Sequence, residues 1–319
     1  MGGAGEANSV VFINNWRRIF PAIWPKALNM PMSQAAAKTA LGPIAMVAVE
    51  QHFPRNQRVI DDEFAYRILP FGARLFVSMM RLHYARNWMF RISERSFPGL
   101  WCGIICRKRY IDEKLVECAA QIDALVNLGA GFDTRAYRLP ALSDLPLWEV
   151  DLEENIEPKR AALRKLLGNV PQRVRLASID FDRQELGALL ESRGFSPTKR
   201  TFFVWEAVTQ YLTETGIRTT FEFLSKAARG SRLIFTYIRR DFLDGRNLYG
   251  HQSLYKRYVV NKIWLFAMEP QRVTLLLERY GWHLVEHLGY QELHERYVRP
   301  TGRQLAVTPI ERIVSAEKL

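Results

Sequence analysis

Residues 125–135 read Leu125-Val126-Asn127-Leu128-Gly129-Ala130-Gly131-Phe132-Asp133-Thr134-Arg135. A short apolar run passes into two glycines one residue apart and then into a polar segment suited to a helix start. That order describes a buried strand, a tight turn and a helix. Glycines in the turn permit backbone geometry closed to other residues and let a ligand approach the main chain closely. The third glycine of a dinucleotide fingerprint is missing, and Asp133 would repel a pyrophosphate. The loop therefore suits a ligand that is cationic and free of phosphate.

From Asp123 onward, short apolar runs alternate with amphipathic stretches, as βαβ units require. The pattern predicts strands over Ala124–Leu128, Leu147–Val150, Val174–Ser178, Thr201–Trp205 and Arg232–Tyr237. Helices are predicted over Ile156–Leu167, Arg183–Ser192 and Glu214–Ala228. The fold class is α/β, a doubly wound, mostly parallel sheet, whose ligands bind outside the carboxyl ends of the strands. Three carboxylates fall there. Asp151, followed by Leu152, ends the second strand about twenty residues past the glycines, where a carboxylate can accept from ribose hydroxyls; capping the next helix is its structural alternative. Asp180 and Phe181 follow the third strand and could offer a carboxylate to an adenine amino group and a ring to the adenine face. Glu206 follows the fourth strand, where a lone buried acid is costly unless a cation or a solvated cleft receives it.

The first 120 residues have another character. Trp16, Phe20 and Trp24 mix with Pro21, Pro25 and Pro31 in an irregular aromatic arm. Ser33 to about Leu69 reads as two or more helices. Phe71 to Cys118 carries Leu75, Met79, Leu82, Trp88 and Phe90 at helical spacing, interleaved with Arg74, Arg81, Arg86 and Arg91. This stretch is a helical cap with a basic face, or a lid over an apolar substrate, and it leaves peripheral membrane contact open. The domain reading is thus 1–120 as arm and cap, and 121–319 as the ligand-binding domain, with 239–270 as a substrate-pocket insertion. A chain of 319 residues with 48% hydrophobic content can bury a full core. No run approaches the ~20 apolar residues of a membrane span, and Arg17 and Arg18 interrupt the one apolar stretch a secretory signal would need. The net charge of +12 is spread along the chain rather than gathered in a tail, so no nucleic-acid partner is expected. Cys102, Cys106 and Cys118 form neither a disulfide framework nor a zinc spacing; no metal is expected, and a reducing, cytoplasmic setting is.

The stretch VNLGAGFDTRAYRLP, Val126 to Pro140, resembles the signature of the leucine carboxyl methyltransferase family, with relatives in polyketide pathways and mycobacteria. Further elements match in order. RKRYID, Arg107 to Asp112, is similar to an Arg-Thr-x-x-Ile-Asp element, with Lys108 in place of the threonine. EVD ends at Asp151, IDF spans Ile179 to Phe181, and WEAVTQYL carries Glu206. FTYIRRDFLDGRNLYGHQSL resembles the segment lining the acceptor pocket, and EPQRVTLLLERYGW the helix and Gly-Trp turn after it. The resemblance spans about residues 44–300 and implies a Rossmann-like class I methyltransferase fold with S-adenosyl-L-methionine as cofactor, whose sulfonium and ammonium suit the cationic-ligand loop. It implicates Arg107 in holding the cofactor carboxylate, alongside Gly129, Ala130, Gly131, Asp133, Asp151, Leu152, Asp180, Phe181 and Glu206.

Methyl transfer from a sulfonium is an in-line displacement in which the cofactor supplies the electrophile, so the protein chiefly positions and orients. A carboxylate acceptor is already ionised and needs no base. The leading expectation is methyl-ester formation on a small or lipophilic acid, a fatty acid included. Tyr237, Arg239, Arg240 and Tyr255, near and beyond the end of the fifth strand, are the candidates for holding that acid. A hydroxylated polyketide-like acceptor would instead require a base such as His251. A non-catalytic basic binding protein on the same fold is the remaining alternative, and the oligomeric state is not encoded in these motifs.

Overall fold

The computed structural model describes residues 39–319; the aromatic arm at Trp16–Trp24 lies outside them. Seven strands form one sheet in the order β3-β2-β1-β4-β5-β7-β6. They are β1 (Ala124–Leu128), β2 (Leu147–Asp151), β3 (Val174–Ser178), β4 (Thr201–Trp205), β5 (Arg232–Ile238), β6 (Trp282–Leu288) and β7 (Glu311–Lys318). The first five run parallel, and β7 lies antiparallel between β5 and β6.

The central strands are buried at every position, so they read as mainly apolar runs, interrupted by Asn127 in β1 and Glu149 in β2. Their side chains alternate between two cores. Leu125, Leu147, Phe202 and Val204 enter one, whereas Val126, Trp148, Phe203 and Trp205 enter the other. The second core is closed by α8 (Leu186–Ser192), α9 (Glu214–Leu224) and α12 (Val273–Arg279). The first is closed by helices preceding the sheet: α1 (Leu41–Glu50), α2 (Glu63–Ile68), α3 (Phe71–Met79), α4 (His83–Ser96) and α5 (Leu100–Cys118). The expected cap and one face of the sheet therefore share a single hydrophobic core.

The remaining helices are α6 (Arg135–Arg138), α7 (Glu153–Leu167), α10 (Arg240–Leu243), α11 (Gln252–Leu254) and α13 (Tyr290–Leu293). Strands β6 and β7 are not predicted by the sequence pattern. β6 carries His283, Glu286 and His287 and is only partly buried, so its apolar run is broken. Its pairing with β7 also shifts register between Leu284 and Glu286. Among the described residues, no helix is long and apolar enough to cross a membrane.

Candidate functional site

A cavity of about 590 Å³ lies at the carboxyl ends of β1, β2, β3 and β4. Arg107, Gly129, Ala130, Gly131, Asp133, Asp151, Leu152, Asp180, Phe181 and Glu206 all line it. Across from them stand apolar side chains of the first helices and their links, including Ile44, Met46, Phe97, Leu100 and Ile104.

The glycine turn needs its glycines. Gly129 has φ 74°, and a Cβ there would lie 2.1 Å from Val208 Cγ2. Gly131 has φ 43°, and its Cβ would come within 3.2 Å of Ala40. The chain is pinned from β2: Gly129 and Ala130 donate their N–H groups to the Val150 carbonyl at 2.8 and 3.0 Å. Gly131 donates to Asp151 Oδ2 at 2.6 Å. Asp151 Oδ1 accepts from the Leu152 N–H at 2.7 Å and from Asn155 Nδ2 at 2.9 Å. Asp151 thus ties the glycine turn to the start of α7 through one carboxylate, although Leu152, the N-cap residue of that helix, makes no side-chain cap bond. Burial raises its pKa, opposed by these hydrogen bonds. A carboxylate has about four lone-pair sites, so one remains for a ligand.

Beside the turn sits a buried charge network that joins distant parts of the chain. Arg107 donates through Nε to Glu206 at 2.9 Å and through Nη1 to both oxygens of Glu311 at 2.6 and 2.8 Å. Lys108 Nζ lies 3.3 Å from Glu206 and 3.8 Å from Asp133. Arg135 reaches Glu206 at 2.8 Å and Asp112 at 2.6 Å, and also pairs with Asp133. Arg138 bridges Asp112 at 2.6 Å and Asp62 at 2.9 Å. Burial alone would raise the Glu206 pKa, but Lys108, Arg135 and Arg107 outweigh it and hold the carboxyl well below its ordinary range. Asp133 is lowered in the same way, burial being overcome by Arg135 and Lys108. With every group ionised, four cations face five carboxylates, leaving the network one negative charge in excess. A cation entering the cavity would offset that excess.

Lys108, Asp112, Arg135, Arg138 and Glu311 did not stand out as site residues in the sequence. A signal existed for three of them: Lys108 and Asp112 fall at helical spacing on the stripe of Trp101, Ile104, Ile105, Ile111 and Leu115, and Arg135 closely follows the glycine turn. Glu311 had none, since it stands 204 positions from its partner Arg107.

Tyr237, Arg239, Arg240 and Tyr255 do not line the cavity. Side chains alternate along β5, so Ile238 faces the cavity while Tyr237 turns away and meets His287 Nε2 at 2.8 Å. Arg239 pairs with Asp241 at 2.8 Å, and Arg240 approaches Asp244 and Glu214 on the outside. The Tyr255 ring packs on Phe242 at 5.8 Å. From the same segment it is Leu254, Arg257, Tyr258 and Trp264 that line the cavity, with Tyr211 beside them. Tyr258 and Trp264 stack at 5.1 Å. His251 is fully buried, bonds Thr308 at 2.9 Å and is not part of the lining. Among the described residues no cluster of His, Cys, Asp and Glu is arranged to hold a metal ion.

Similar proteins share this fold. Solved structures with the same fold include a DUF574 family protein from Streptomyces avermitilis MA-4680, with a TM-score of 0.56 and 14% identity over 74% of this chain and 91% of that one. A protein of Thermobifida fusca YX assigned as a methyltransferase has a TM-score of 0.54 and 16% identity, covering 85% of this chain and 97% of its own. In sequence, a protein of Mycobacterium avium (strain 104) assigned as an S-adenosyl-L-methionine-dependent methyltransferase is 28% identical over 204 residues, 63% of this chain and 67% of that protein. A protein of Mycolicibacterium paratuberculosis with the same assignment is also 28% identical, over 63% of this chain and 74% of its own. The sequence model of the leucine carboxyl methyltransferase family matches residues 40–225, the stretch that holds the glycine turn, Asp151 and most of the charge network. That match covers more than half of the chain, on a Rossmann-like α/β fold: the protein belongs to the leucine carboxyl methyltransferase family and is an S-adenosyl-L-methionine-dependent methyltransferase.

Proposed function

We propose that this methyltransferase forms methyl esters of a small or lipophilic carboxylic acid, a fatty acid included. The residues present fit the cofactor. The glycine turn is a cradle that a Cβ would fill, and the network beside it, counted with every group ionised, has one more carboxylate than cations. In this reading Asp151 accepts from a ribose hydroxyl, and Asp180 and Phe181 flank the adenine. Arg107 holds the cofactor carboxylate through Nη2, which makes no hydrogen bond among the described residues, while Glu206 and Glu311 fix its guanidinium. When bound, S-adenosyl-L-methionine supplies a methyl group whose bond to sulfur breaks as its bond to the acceptor oxygen forms.

The observation that carries the choice of a carboxylate is that, among the described residues, no histidine lines the cavity. Glu206 and Asp133 are held at low pKa, and Tyr211 is pushed up to about 12 by burial, so none of them takes a proton readily near neutrality. A hydroxyl acceptor would need such a group, whereas a carboxylate is ionised on arrival. Positioning of the acid passes from Tyr237, Arg239, Arg240 and Tyr255 to Arg257, Tyr258, Tyr211 and Trp264, which line the cavity. The aliphatic wall of Ile44, Met46, Leu100, Ile104 and Leu254 favours an apolar tail.

The test is tritiated methyl transfer from S-adenosyl-L-methionine into a panel of fatty acids, aromatic acids and phenolic polyketides, followed by mild alkali. Label lost as methanol identifies an ester. Alkali-stable label on an alcohol or phenol would replace this reading with hydroxyl methylation. Transfer to no acceptor, together with no thermal stabilisation by the cofactor, would favour the non-catalytic alternative.

A further inference from the structure

We propose that the outer face of α3 and α4 docks the protein onto an anionic lipid surface. Phe71, Leu82 and Tyr84 are 75%, 67% and 85% exposed, and Leu75 and Trp88 are exposed as well. On α3, Phe71 and Leu75 share one face at a spacing of four; on α4, Tyr84, Trp88, Arg91 and Arg95 form one stripe at helical spacing. The two helices are joined by three residues that include exposed Arg81 and Leu82. Five exposed large apolar side chains on two successive helices and their link mark a contact surface rather than scattered exposure.

Charge selects the occupant. Between Phe64 and Ser93 the sequence has five arginines and no aspartate or glutamate. Arg67, Arg81, Arg91 and Arg95 are exposed, and among the described residues none has a carboxylate partner. Amphipathic helices with aromatic and leucine side chains among arginines bind the boundary of an anionic bilayer, apolar groups entering the acyl region and guanidinium groups meeting phosphates. A two-fold dimer through the same face would set arginines against arginines. The position also suits delivery of a lipophilic ligand, whatever its reacting group. Helix α4 carries Tyr84 at one end and the cavity-lining Ser93 toward the other, about 14 Å further along at a rise of ~1.5 Å per residue.

The experiment is co-sedimentation of the full chain with vesicles of phosphatidylcholine alone and of phosphatidylcholine mixed with phosphatidylglycerol, at low and high salt. The expected result is binding to the mixed vesicles only, weakened by salt. Replacing Arg81, Arg91 and Arg95 with glutamine should lower the partition coefficient roughly fivefold per residue. Replacing Phe71, Leu82 and Tyr84 with serine should abolish binding while cofactor-induced thermal stabilisation stays as in the unaltered chain. No binding to the mixed vesicles, or binding indifferent to both sets of substitutions, would overturn the proposal. So would sedimentation showing a dimer that the serine variant splits, because a second copy would then be the occupant.

Discussion

Asp151→Asn separates the structural and ligand-binding duties of one carboxylate. The side chain accepts from Gly131 on Oδ2 and from Leu152 and Asn155 on Oδ1. An asparagine offers one acceptor oxygen, so its NH₂ group must face a donor on one side. The better orientation loses the Gly131 bond and the worse loses two. One hydrogen bond to a charged group contributes about 1.5–3 kcal/mol. Part of that loss is offset because the buried carboxylate, whose pKa burial raises, no longer has to be held charged. The net destabilisation should be about 1–2 kcal/mol by urea unfolding. A ribose hydroxyl loses the same kind of partner, so the affinity for S-adenosylhomocysteine by titration calorimetry at neutral pH should fall about 10- to 100-fold. A cooperative unfolding transition in the variant, with affinity within about twofold of the unaltered chain, would refute the assignment of Asp151 to the ribose.

Gly129→Ala meets both a left-handed φ and a Cβ contact of 2.1 Å with Val208. It should cost about 1–2 kcal/mol in backbone strain and about 1–3 kcal/mol in overpacking. Urea denaturation measures this, and Val208→Ala in the same chain should recover the packing part only. His251 has its pKa lowered to about 4 by burial. The folded protein thus binds fewer protons than the unfolded chain between the ordinary value of 6.5 and about 4. Stability contributed by the neutral ring is present above that window and is lost as pH falls through it, by about 3 kcal/mol in all. The His251→Asn variant should show a shallower decline over that range, and an unchanged pH profile would show that the ring is not held neutral.

The parallel strands could be read because burial at most positions leaves a mainly apolar signature despite Asn127 in β1 and Arg175 in β3, and β1, β3 and β4 lie at the predicted bounds. The same physics hid β6, where solvent on part of the strand admits His283 and Glu286. The residues expected at the cofactor site all line one cavity: Arg107 comes to it from α5, and the others lie at or just beyond the ends of β1 to β4. The acceptor end was not readable by that rule. Beyond β5 the chain turns through α10 and α11, and which of Leu254 and Tyr255, or of Tyr237 and Ile238, meets the cavity depends on the phase of the chain rather than on residue type. Partners such as Glu311 for Arg107 are set by tertiary pairing alone.

The placement of β7 bears on how the protein is made. Its first residue, Glu311, holds Arg107 from the far side of the chain, and the strand itself is the antiparallel filler between β5 and β6. On the ribosome, the glycine turn, Asp151 and Glu206 all emerge and can pack before this strand exists. Until it emerges, Arg107 lacks one of its two carboxylates and β5 exposes an unpaired edge open to wrong partners. A nascent chain should therefore acquire cofactor-dependent protease resistance late and in one step, when β7 inserts, rather than in proportion to the length of sheet already synthesised.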